Sequence, residues 1–166
     1  MRRAITAIVV HHSASPCGDR DIMDSWHRVH GWSGIAFHRV ILNGCCAGKG
    51  EYLPGCDGAV QQGRPDDRPG AHVKPSSGGP PLGRGWNRHS LGICLIGDLD
   101  ESEPTARQWA SLVDTCTRIC ECHGLPASRI YGHREAAPGS TDCPGENLDM
   151  DRLRVEVAAK LFATGG

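Results

Sequence analysis

Apolar residues recur along the chain with two alternating periods, and these delimit its elements. Residues 4–10 are apolar on both faces, the pattern of a central strand. Residues 19–30 switch to a helical period, with Ile22, Trp26 and Val29 on one stripe and Gly31 as the stop. Residues 35–42 predict a second strand. Residues 43–58 form a Gly- and Cys-rich excursion, and Asp57-Gly58 reads as a hairpin turn into a strand at Ala59-Val60-Gln61. Residues 63–90 are dense in Gly and Pro and show no period. A loop this long is normally functional or disordered, and its Arg64, His72, Trp86, Asn87 and His89 suit a polar binding wall.

Residues 91–96 are another buried strand. Thr105-Ala106-Arg107-Gln108 has the spacing of a capping box. It opens a helix with Trp109, Leu112, Val113, Cys116, Ile119 and Cys120 on its stripe and Gly124 at its end. Arg129-Ile130-Tyr131 is a short strand, and Asp149 caps a last helix that turns Met150, Leu153, Val157 and Leu161 inward. This order of elements predicts an α/β fold with a mixed central β-sheet flanked by about three helices. Without repeats or a linker, residues 1–166 read as a single domain, long enough for its own core.

Composition narrows the partners. The formal net charge of -1 gives no reason to expect nucleic acid. No apolar run approaches the ~20 residues of a membrane span, so no membrane insertion is expected, and the chain is expected to be a monomer. Met1-Arg2-Arg3 and the apolar run after it imitate a short signal peptide. The run leads straight into His11-His12, so it reads as a strand, and the expected location is the cytoplasm until release. In such a compartment most of the nine cysteines are thiols. Cys116 and Cys120 belong to a helix core. Cys45, Cys46 and Cys56 share a loop that fits a disulfide or a second metal site.

The candidate chemistry lies in residues 132–145. His133 and Cys143 are ten positions apart on a stretch bent by Gly132, Pro138, Gly139, Pro144 and Gly145, expected to be irregular rather than helix or strand. Taken singly, a His before an Arg is usually a surface group and a lone Cys a small buried hydrophobe. Together, imidazole and thiol suit zinc, and the missing ligand is best supplied by His11 or His12 at the end of the first strand. Strand alternation sends the two histidines to opposite faces, so only one can join. Three protein ligands and one open position describe a catalytic zinc, where the open position holds water acidified to a pKa of about 7.

These residues resemble the zinc-dependent N-acetylmuramoyl-L-alanine amidases, a group that includes phage amidase-type lysins and peptidoglycan recognition proteins. The likeness runs in order through Ile8-Val9-Val10-His11-His12-Ser13-Ala14-Ser15, Trp26-His27 with Gly31-Trp32, and Gly34-Ile35-Ala36-Phe37-His38. It continues through Gly63-Arg64-Pro65, Gly70-Ala71-His72, Asn87 with Ser90-Leu91-Gly92-Ile93, and Gly132-His133-Arg134-Glu135 with Cys143-Pro144-Gly145. The resemblance implies an amidase-like fold and hydrolysis of the bond between the lactyl group of muramic acid and L-alanine of the stem peptide. Bacterial peptidoglycan would be the partner, and a phage or prophage endolysin the setting. It implies His11, His133 and Cys143 as ligands of Zn2+. Thr141, two positions before the last ligand, would steady the oxyanion, with Ser140 as its alternative. Arg64, His72 and Asn87 would contact substrate, a bracing role for His72 and Asn87 standing beside that.

The sequence departs from the family pattern at the water. Many members place a Tyr where this chain has Phe37, and another branch uses a Glu where it has Cys94. Tyr52 or His38 would have to substitute. The competing readings are a non-catalytic, zinc-containing peptidoglycan-binding module and a structural zinc protein.

Overall fold

The computed structural model describes residues 3–45 and 53–164. Five strands and five helices follow one another as β1 (Ala7–His12), α1 (Arg20–Val29), β2 (Arg39–Ile41), β3 (Val60–Gln62), α2 (Trp86–His89), β4 (Ser90–Leu95), α3 (Ala106–His123), β5 (Ile130–Gly132), α4 (His133–Ala136) and α5 (Met150–Thr164). The sheet order is β3-β2-β4-β1-β5. β1 lies parallel to both β4 and β5, β2 is parallel to β4, and β3 is antiparallel to β2. It is therefore a mixed sheet, with three long helices and two single turns packed on it.

β1 lies inside the sheet and has no polar face along residues 7–11, as its unbroken apolar run requires. Alternation divides its side chains. Ile8 and Val10 join the core under α3 and α5, with Leu91, Leu112, Cys116, Leu153 and Val157. Ala7 and Val9 face the other way, against Val73, Trp86 and Ala136. His11 continues that second face and His12 the first.

Helix ends follow their signals. Thr105 Oγ1 accepts the Gln108 N–H and the Gln108 side chain accepts the Thr105 N–H, while Gly124 closes α3 with φ 64°. Asp149 Oδ1 accepts the Arg152 N–H at the start of α5. Asp19 accepts from Asp21 and Ile22 at the start of α1.

Several expectations need correction. In α1 the inward residue is Met23, while Trp26 and Val29 are 40% and 82% exposed. The docked face of this helix is held by polar groups: Asp24 Oδ1 accepts the Ile35 N–H and His27 Nδ1 accepts the Ala36 N–H. With the Ile35 and Ala36 N–H groups taken by α1, regular strand β2 begins only at Arg39, although the His38 N–H already reaches the Gly92 carbonyl of β4. In the long loop, residues 86–89 wind into α2, which buries Trp86, and His89 turns away to the Ala4 carbonyl, so neither joins a polar wall. Finally, Cys45 is disulfide-bonded to Cys17, with 4.8 Å between Cα atoms. The bond ties the segment leaving β1 to the segment leaving β2, where the Gly18 N–H also meets the Cys45 carbonyl. Cys56, Cys94, Cys116, Cys120, Cys122 and Cys143 are free thiols, and Cys46 and Tyr52 lie outside the described residues.

Candidate metal centre

The end of β1, the start of α4 and the loop beyond it converge on one point. The ligand-type atoms of His11, His133 and Cys143 all lie within 4.8 Å of one another. His11 Nδ1 is 3.7 Å from Cys143 Sγ, and the rings of His11 and His133 are 4.5 Å apart at their centroids. Zinc bonds of about 2.0–2.3 Å at tetrahedral angles would set a nitrogen and a sulfur ligand about 3.6 Å apart. Two imidazoles and one thiol at this spacing fit zinc in both chemistry and geometry.

Local sequence explains each position. His133 is brought in by α4, where an irregular loop was expected. The turn forms because Glu135 Oε2 accepts the Gly132 N–H at 2.6 Å, holding a backbone donor that the helix leaves unpaired. Arg154 of α5 clamps the same carboxylate at 2.5 Å and donates to the Ile130 carbonyl at 2.9 Å, locking α4 and β5 to α5. The Glu at the third position after Gly132 was a legible cap signal that sequence reasoning passed over. Cys143 is held by the loop itself: Thr141 Oγ1 accepts its N–H, and the Arg134 N–H donates to its carbonyl.

His12 belongs elsewhere. Its Nδ1 accepts the Leu99 N–H at 3.0 Å, so that lone pair is occupied, although Asp98 and Asp100 are close. Its backbone N–H hydrogen-bonds the Cys143 sulfur, which favours the thiolate.

The electrostatics suit a cation. Burial holds the His11 pKa well below the usual range, and His133, His72 and His12 add to the effect. Burial brings His133 down to about 4. Both rings are therefore neutral at pH 7 and can offer lone pairs. Burial pushes the Cys143 thiol up to about 12, against the opposing pull of the His12 N–H. A divalent cation at the site would reverse that balance and favour the thiolate.

The remaining expected residues divide. Thr141 uses its oxygen to accept from Cys143, which leaves its own proton to donate. Ser140 is exposed and donates to the Ala137 carbonyl. His72 is buried against His11, with 3.1 Å between His11 Nε2 and His72 Nδ1. Asn87 braces the loop that carries His72: its Oδ1 accepts the His72 and Val73 N–H groups and its Nδ2 donates to the Val73 carbonyl. Arg64 ties Ser33, Ile35 and Pro69 together. It also lines a cleft of about 300 Å³ with Arg20, Asp24, Arg28 and Arg68.

Phe37 packs on His11 with 5.0 Å between ring centroids and on His27 at 5.5 Å, so an apolar ring walls the site. Cys94 lies opposite His11 in the β1–β4 register and is fully buried, its thiol raised by burial and by Cys143. His38 is absent from the site. Its Nδ1 accepts the Gly92 N–H and its Nε2 reaches the Arg68 carbonyl. Burial lowers its pKa to about 4.

Residues 1–146 match the sequence profile of N-acetylmuramoyl-L-alanine amidase. The endolysin of Escherichia phage T7 is 31% identical over 157 residues, covering 89% of this chain and 85% of the endolysin. Peptidoglycan-recognition protein SC2 of Drosophila melanogaster is 33% identical over 101 residues, covering 58% of this chain and 47% of that protein. Among solved structures, the N-acetylmuramoyl-L-alanine amidase LysC from Clostridium intestinale URNW superposes with a TM-score of 0.73 at 23% identity, covering 93% of this chain and 85% of LysC, a likeness of fold. The chain belongs to the N-acetylmuramoyl-L-alanine amidase family.

Proposed function

We propose that the chain is a zinc-dependent amidase of the endolysin type. It would cut the bond between the muramic acid lactyl group and L-alanine of the stem peptide, with His11, His133 and Cys143 holding the ion. The observation that carries this reading is the convergence of those three donors at the end of β1 in a member of this family. Zinc, when bound by such a set, supplies Lewis-acid chemistry, acidifying water and polarising a carbonyl.

The protein's own groups have separate tasks. The His11 and His133 rings stay neutral through burial and present lone pairs. Thr141 directs a hydroxyl proton toward the charge that develops on the scissile carbonyl oxygen, where a positioned donor acts most strongly. The Phe37 ring excludes solvent from one side of His11. A cleft lined by residues 33–35, which lead to Phe37 at the site, carries the guanidiniums of Arg20, Arg28, Arg64 and Arg68, of which Arg20 is paired with Asp21 and Arg28 with Asp24. That surplus of positive charge suits the carboxylates of an acidic stem peptide.

A second reading, peptidoglycan binding without cleavage, is favoured by one observation. Phe37 and Cys94 put no acid–base group beside His11, since the thiol is held protonated by burial. Lytic activity on purified walls separates the two readings.

Metal analysis tests the ligand set. The parent is expected to hold one zinc per chain, and His133→Ala and Cys143→Ala to lose nearly all of it. His12→Ala is expected to keep it, because the Nδ1 of His12 is engaged with Leu99. Full retention in either ligand variant, or loss in His12→Ala alone, would overturn the assignment.

A further inference from the structure

The buried ring of His72 touches His11 on the side away from Cys143, and this contact has a direction that the surrounding groups fix. Ser90 Oγ donates to the Trp86 carbonyl at 2.6 Å, and a carbonyl can only accept. The hydroxyl proton is thereby committed, so toward His72 Nε2, 3.5 Å away, Ser90 Oγ presents a lone pair. His72 Nε2 therefore carries the proton, and in the neutral ring Nδ1 is bare. That bare Nδ1 faces His11 Nε2 at 3.1 Å, so His11 Nε2 must be the donor. The neutral His11 ring is left with its lone pair on Nδ1, the atom 3.7 Å from Cys143 Sγ.

The His72 ring is also held in place sterically. A Cβ on Gly92 would come within 2.7 Å of it, and one on Gly70 within 2.3 Å. Both positions must lack a side chain for the ring to lie flat between β4 and the loop. Asn87 fixes the backbone on either side of it. His72 is 5% exposed, which leaves little of it for a substrate to reach.

We infer that His72 is a positioning residue: the chain Trp86 carbonyl, Ser90 hydroxyl, His72, His11 selects the Nε2–H tautomer of His11 and presents Nδ1 to the metal. The inference deepens the proposed function, since it rests on His11 being a ligand. Groups that orient a ligating imidazole typically change metal affinity by about 10–100-fold when removed.

The test uses the full chain in four measurements: zinc Kd by chelator competition, side-chain 15N NMR of the metal-free protein, circular dichroism, and KM on purified walls. The metal-free parent should show His11 protonated at Nε2, and a His11 protonated at Nδ1 would overturn the inference. His72→Leu, folded by circular dichroism, should bind zinc about 10–100-fold more weakly and lose the single His11 tautomer. His72→Asn places an acceptor oxygen near the position of Nδ1 and should restore most of both. Zinc affinity and tautomer unchanged in His72→Leu, with KM raised, would make His72 a substrate contact and overturn the inference. If His72→Leu does not fold, the parent tautomer and the His72→Asn affinity decide. A parent that binds zinc with the expected tautomer but releases no stem peptide would sink the amidase reading and leave this one standing.

Discussion

Phe37 is the residue whose chemistry is easiest to change. Its ring lies 5.0 Å from that of His11 and is 8% exposed. A para hydroxyl there would be buried, and a buried unpaired hydroxyl costs about 1–3 kcal/mol. It escapes that cost if it meets water held at the metal centre. Phe37→Tyr is accordingly expected to stay folded, keep its zinc and hydrolyse walls at least about tenfold faster, less than the ~10²–10⁴-fold typical of positioned acid–base groups because the site is adapted to the lack of one. Rates from turbidity loss, normalised to zinc content, check this. A folded, loaded variant no faster than the parent would show that the missing hydroxyl is no deficit.

Among the elements, α3 carries a capping residue with a second task. Gln108 is buried, and besides closing the cap on Thr105 it donates to the Ile41 and Ile96 carbonyls at the ends of β2 and β4. Gln108→Leu would keep the volume, strand the Ile96 carbonyl, leave the Ile41 carbonyl with the Ile96 N–H alone, and free the Thr105 N–H of its cap. It is expected to lower the unfolding free energy by about 3 kcal/mol, read from urea transitions at unchanged slope; a loss below about 1 kcal/mol would contradict the bridging role. α3 also shows what sequence makes legible. Its apolar stripe, its cap and Gly124 act within single turns, so residue order encodes them directly. α1 was misread because polar side chains dock it: Asp24 and His27 bind the backbone of residues 35 and 36, and apolar periodicity is blind to such bonds. The same division holds at the site. His133 and Cys143 were visible as ligand types on one loop, whereas the choice of His11 over His12 from residue order required the family likeness. The link from His72 to His11 spans 61 positions and depends on ring orientation, which no local pattern records.

For the whole molecule, the arrangement places a rigid strand end beneath an assembled rim. β1 is buried between β4 and β5 and delivers His11. α4, clamped through Glu135 and Arg154 to α5, delivers His133. The loop after α4 delivers Cys143, and residues 33–37 connect the centre to the guanidinium-rich cleft. The Cys17–Cys45 disulfide ties the exits of β1 and β2 together on the same side of the sheet. The central claim is that this framework hydrolyses one particular amide. Mass analysis of the products released from purified bacterial walls tests it most directly. The account predicts intact stem peptides bearing a new free L-alanine amine, with the glycan chains uncut. New reducing sugar ends, cleavage within the stem, or no release at all by the zinc-loaded protein would contradict it.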